Sequence, residues 1–147
     1  MNGNTGEVGS APALETPEQH GTSHRAPDAA VGSAKSVSAI LGRAADRIEA
    51  KGAFVRTYSA EHPNPRKPVE IINCLPTEED AVAWSAMGAI WAELRRLPKA
   101  AVTAAHNYFK AHVSPDHALF LWCCAQTQES SVQALRQAAA LAKAEGR

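Results

Sequence analysis

Ala81-Val82-Ala83-Trp84-Ser85-Ala86-Met87-Gly88-Ala89-Ile90-Trp91 is apolar nearly all round. A helix of that kind belongs in the buried centre of a bundle, where no face needs to meet water. Start signals stand just upstream. Thr77 is a good N-cap, Glu78 and Glu79 complement the positive helix end, and Asp80 occupies the third capping-box position. The stretch therefore predicts a helix over residues 78–97. Gly88, flanked by Ala86 and Ala89, costs about 1 kcal/mol against alanine in such a helix and is expected to let a neighbouring helix come close.

Upstream, Val37, Ile40, Leu41, Ala44 and Ile48 recur at helical spacing and predict an amphipathic helix over residues 33–51. Ser33 or Ser36 can cap its start, and Gly52 is placed to end it in a left-handed turn. Ala53–Tyr58 and Val69–Ile72 carry β-branched and aromatic residues. Between them, Pro63, Pro65 and Pro68 exclude a helix. Two short extended segments, an irregular hairpin lying against helices, are expected there.

Downstream, Pro98 opens a third helix with Val102, His106, Phe109 and Val113 on one stripe. Ser114-Pro115-Asp116 is a similar start signal for a fourth helix carrying Ala118, Leu121, Trp122 and Ala125. Thr127 caps a fifth, with Val132, Leu135, Ala139 and Ala142 on one face and Gly146 at its end. Residues 1–33 hold only Val8, Leu14 and Val31 as branched aliphatics, too little apolar surface to offset the entropy of ordering. The expected architecture is a mainly α protein. A helical domain over residues 34–147, a compact bundle of about five helices, has a short irregular β-hairpin between helices one and two. A disordered N-terminal tail covers residues 1–33.

Composition removes several function classes. Lys and Arg number 15, as do Asp and Glu, so the net charge is 0. That argues against nucleic-acid binding driven by bulk charge. Three cysteines are too few, and odd in number, for a disulfide scaffold. The longest nearly apolar run, Ala81–Ala92, falls short of the about 20 residues that a membrane-spanning helix needs, and the first residues lack a cationic, apolar leader. A cytoplasmic protein with reduced thiols is the expectation.

Ile40-Leu41-x-Arg43-Ala44-Ala45-Asp46-Arg47-Ile48-Glu49-x-Lys51-Gly52, with Ala83-Trp84-Ser85-Ala86-Met87-Gly88-Ala89-Ile90 and the Trp122 to Thr127 element, resembles a family of small uncharacterised bacterial and phage proteins. The resemblance covers roughly residues 37–145. It departs at Ser85, where the family has Cys, and at Cys123-Cys124, where it has Asn-Asp. It implies a helical fold and carries no activity.

Several groups invite chemistry. His106 lies on an apolar stripe, where a base facing a cavity competes with the commoner hydrogen-bonded core histidine. A cysteine enzyme could pair Cys74 or Cys123 with His106, His112 or His117. A thiolate at the end of a helix, as at Cys123 and Cys124, meets the wrong pole of the dipole. The spacings match no zinc motif and no phosphate loop, so no metal and no cofactor are expected. Glu78-Glu79-Asp80 is read as helix capping. Arg95, Arg96 and Lys99 could make a weak nucleic-acid face, but cations suit a helix C-terminus in any case. Packing and capping account for the strong signals. The favoured function is therefore a non-catalytic accessory protein that binds a protein partner through a surface patch near Arg56, Tyr58, Arg95 and Arg96.

Overall fold

Ser36 accepts a hydrogen bond from the Ala39 amide at 3.1 Å and starts the first helix, α1, over Val37–Glu49. The computed structural model describes residues 34–56 and 60–147, without the side chains of residues 68–71. The expected tail, residues 1–33, and Tyr58 lie outside the described residues. Along α1 the predicted stripe residues Ile40, Leu41, Ala44 and Ile48 are fully enclosed, with Ala45 beside them, while Val37 is partly buried. Gly52, at φ 83°, takes the left-handed position of a turn closed by the Ala53 amide on the Ala50 carbonyl at 3.0 Å. Only glycine adopts that conformation without steric cost.

The hairpin exists, but its strands are not the two expected. β1 is Ala60–Asn64 and β2 is Lys67–Cys74, antiparallel, with Ala60 opposite Cys74 and His62 opposite Ile72. The expected proline loop thus supplies strand residues at both ends. Pro63 is tolerated because the register shifts between Pro63 and Asn64, and the third strand, β3 (Ala83–Trp84), pairs only with Glu61 and Ala60. The sheet order is β2-β1-β3. The other extended segment, around Phe54, bridges Trp84 rather than residues 69–72.

The continuous helix over residues 78–97 does not form. Residues 76–80 make turns, Ala83 and Trp84 join the sheet, and the second helix, α2, covers Ala86–Trp91 before tightening into a 3₁₀ turn at Ala92–Arg95. Ser85 is the N-cap in place of Thr77, its hydroxyl accepting from the Gly88 amide at 3.0 Å. An all-apolar stretch has no period to read, so the strand pairing of Trp84 and the Ser85 cap decide its path. Its centre is nonetheless core: Ala86, Ala89 and Ile90 have no exposure.

Pro98 precedes α3 (Lys99–Val113), which buries Val102, Ala105 and Phe109. Ser114 ends α3, and the short α4 starts only at Leu119, running to Cys124. Its buried residues are Leu119 and Cys123, while Leu121, expected inside, is exposed. The Ser-Pro-Asp signal starts a turn, which rotates the following helix away from the expected face. Thr127 caps α5 (Gln128–Ala144) in a reciprocal box with Ser130. α5 lies along α1, its most extensive helix neighbour, and α1 also packs on α2 and α3. The Gln128 side-chain amide, 2.7–3.2 Å from the Ile48, Glu49 and Ala50 carbonyls, closes the C-terminus of α1.

Glu93, in the 3₁₀ turn, is wholly buried and sits between two cations of α1. Arg43 Nε donates to Oε2 at 2.6 Å and Arg47 Nη1 to Oε1 at 2.9 Å. Arg47 also donates to the Ala89 carbonyl at 3.0 Å. Removing both cations leaves a buried carboxylate without compensation. Arg43→Ala with Arg47→Ala should lower stability by about 3–5 kcal/mol. Urea unfolding checks this, and a loss under about 1 kcal/mol would show that the pairs bear little weight.

Candidate functional site

In an antiparallel pair, residues directly opposite share a face, as do residues two apart on one strand. Cys74 opposite Ala60, and His62 two residues further along β1, therefore stand on the same face of the sheet. The chain after β2 folds back over that face. The Glu78 amide donates to the Leu75 carbonyl at 3.1 Å, and Glu78 Oε1 accepts from the Leu75 amide at 3.1 Å. Trp84 Nε1 donates to the Pro76 carbonyl at 3.2 Å and ties the loop to β3. The Val82 amide then donates to Glu61 at 2.9 Å, returning the chain to the sheet.

These bonds gather four polar side chains. Ligand atoms of His62, Cys74 and Glu78 lie within 4.8 Å of one another. His62 Nε2 is 3.9 Å from Glu78 Oε2, and Nδ1 is 3.7 Å from Asp80 Oδ2. The His62 side chain is only 11% exposed. Glu78 and Asp80, expected to cap a helix, instead line this corner, because no helix starts there. The histidines weighed as partners for Cys74 are elsewhere. His106 rests half-buried against Trp91, ring centroids 5.0 Å apart, and His112 and His117 are exposed on and after α3. His106 thus packs as an aromatic neighbour. Its spacing on the stripe gave no hint of His62.

The arginines of the expected patch are exposed but separately placed. Arg56 lies by a depression with Phe54, Glu61 and Gln128, while Arg96 borders another with Arg43, Asp46 and Glu93. Arg95 and Lys99 are exposed near the start of α3. A groove of about 740 Å³ runs along α5 beside Glu49, Gln128 and Val132. Arg136 lines it and is already paired with Asp46 and Glu49 at 3.1 and 2.7 Å. Among the described residues no helix is long and apolar enough to cross a membrane.

A family model described as a family of unknown function, DUF6197, matches residues 32–141. The chain belongs to that family. No curated protein and no solved structure gives a significant match.

In this DUF6197 protein the thiols decide how the site can act. All three cysteines are free. Cys123 is enclosed in the core, and burial pushes its thiol from 9.0 up to about 11. Cys74 is also raised, first by burial and then by the carboxylates of Glu78, Asp80 and Glu61. A nucleophilic cysteine needs the reverse, an environment that favours thiolate. Linkage gives the consequence for stability. Between pH 9.0 and about 11 the unfolded chain has lost the Cys123 proton while the native state keeps it, so stability falls as pH rises through that window. The loss reaches about 2–3 kcal/mol at its upper end. Urea unfolding from about pH 8 upward should show this slope in the wild type and a flatter one in Cys123→Ala.

Proposed function

We propose that this DUF6197 protein is a small non-catalytic accessory protein that binds a protein partner on the rim of its sheet. One observation carries the reading. Ile72, opposite His62 in β2, is exposed together with Leu75, which is 65% open just after β2, and with Val82, whose amide holds the Glu61 carbonyl of β1. Aliphatic side chains gathered around a strand edge mark an interaction surface more often than scattered ones do. β2 spans eight residues and, among the described residues, has a strand neighbour on one side only. That edge suits a partner that contributes an extended segment, with main-chain hydrogen bonds for affinity and apolar side chains for specificity.

The raised thiols of Cys74 and Cys123 support a non-catalytic role over a cysteine enzyme. Three free cysteines support a reducing cytoplasm as its compartment, in a bacterium or phage-infected cell. The competing reading places the partner at Arg56, Tyr58, Arg95 and Arg96, with Lys99 for a nucleic-acid partner.

Ile72→Thr, Leu75→Ser and Val82→Thr together should leave the circular dichroism unchanged. The same variant should reduce recovery of the tagged protein's partner from its host by at least about tenfold. Alanine at Arg56, Tyr58, Arg95 and Arg96 should leave recovery unchanged. Undiminished recovery by the first variant would remove the sheet rim as the interface. Loss with the second would move it to the arginines, and a steep salt dependence of that loss would indicate nucleic acid.

A further inference from the structure

We propose that His62, Cys74 and Glu78 form a binding site for a divalent transition-metal ion of the zinc class, with Asp80 adding charge beside it. The site lies beyond the partner-binding role and does not depend on it.

The first argument is the state of His62. Its Nδ1 is 2.8 Å from the Pro63 carbonyl. An N–H donated to that carbonyl fixes the tautomer and leaves a lone pair on Nε2. Nε2 faces Glu78 Oε2 at 3.9 Å. With a neutral ring both atoms are acceptors, and a cation between them would satisfy the two together. Metal-binding histidines commonly hold their second nitrogen in this way.

The second argument is division of labour within Glu78. Oε1 is engaged by the Leu75 amide at 3.1 Å, which fixes the carboxylate and leaves Oε2 toward the histidine. Cys74 is held by the strand register, and Trp84 anchors the covering loop through Pro76. Each ligand thus has a backbone device that orients it before any ion arrives.

The third argument is the chemistry of the set. One sulfur, one imidazole nitrogen and one carboxylate oxygen match zinc and its neighbours, whereas magnesium and calcium prefer all-oxygen sites. Zinc bonds of about 2.0–2.3 Å place adjacent tetrahedral ligands about 3.5 Å apart, so the present 4.8 Å envelope closes by side-chain rotation of about 1 Å. Thiolate and carboxylate balance the two positive charges. On binding, the Cys74 S–H proton passes to solvent and the sulfur lone pair forms the metal bond. Three protein ligands leave one tetrahedral position for solvent.

The full chain, stripped with a chelator, would be titrated with Co²⁺ and then Zn²⁺. One ion per chain is expected, with a thiolate-to-cobalt charge-transfer band that zinc abolishes, and about one proton released per ion at neutral pH. His62→Ala and Cys74→Ser should each weaken zinc binding by at least about tenfold, and Cys124→Ser should not. Should either hairpin variant unfold by circular dichroism, Glu78→Gln gives the reading, because it keeps the Leu75 contact and removes the charge. Absence of one-to-one binding, a cobalt spectrum without the thiolate band, or weak affinity shared by all variants would overturn the site. The Ile72/Leu75/Val82 variant should bind zinc normally, which keeps this outcome separate from that of the partner test.

Discussion

The Glu93 carboxylate has zero exposure and is held by Arg43 and Arg47 from a helix some fifty residues earlier. Stripping such a carboxylate of water costs several kcal/mol, and only well-placed cations offset it. The geometry is correspondingly constrained. The two arginines are four apart on α1, so both point to the same side and meet the two carboxylate oxygens separately. Arg43 further donates to the Ala34 carbonyl at 2.9 Å, tying the entry to α1 into the same group. The 3₁₀ turn cannot slide along α1 without leaving a buried charge unpaired. Hydrophobic contacts between Ala-rich helices are shallow and tolerate slippage, so the ion triad supplies a register that packing alone would leave loose.

That register reaches the sheet through Arg47. Its guanidinium donates to the Ala89 carbonyl in α2 and lies 5.6 Å from the centre of the Trp84 ring in β3. Trp84 in turn pairs with Ala60 by strand register and holds the Pro76 carbonyl through its indole nitrogen. A continuous set of directional contacts thus runs from the buried carboxylate to the loop that carries Glu78 and Asp80. A two-strand hairpin has little stability of its own. Here it borrows position from the helices through one tryptophan.

The helices with polar faces were the legible part of the sequence. α1 and α5 run 13 and 17 residues, long enough for the apolar stripe to repeat, and Ser36, Thr127 and Gly52 mark their ends. Where every residue is apolar, period carries no information, and residues 81–91 read equally as strand or helix. Ser85 held the missing clue, an N-cap placed just before a helix former, but Thr77 offered the same chemistry earlier. Glu93 was illegible for another reason. A glutamate in a helical run reads as surface, and nothing local reveals that Arg43 and Arg47 await it.

The polar corner was hidden by two locally sound explanations. Three prolines within residues 63–68 argued for a loop and took His62 out of the sheet, although a bulge lets the strand continue past Pro63. Helix capping accounted for Glu78 and Asp80 and left no reason to ask what else they faced. Once the helix start moves to Ser85, that account lapses and the carboxylates need another partner. The exposed Leu75 and Val82 sit at the two ends of the same covering loop. Whatever fixes Glu78 against His62 and Cys74 therefore also fixes how far those two side chains project. An ion bound there would hold the loop that carries Leu75 and Val82, so the polar corner and its apolar rim share one structural element rather than two.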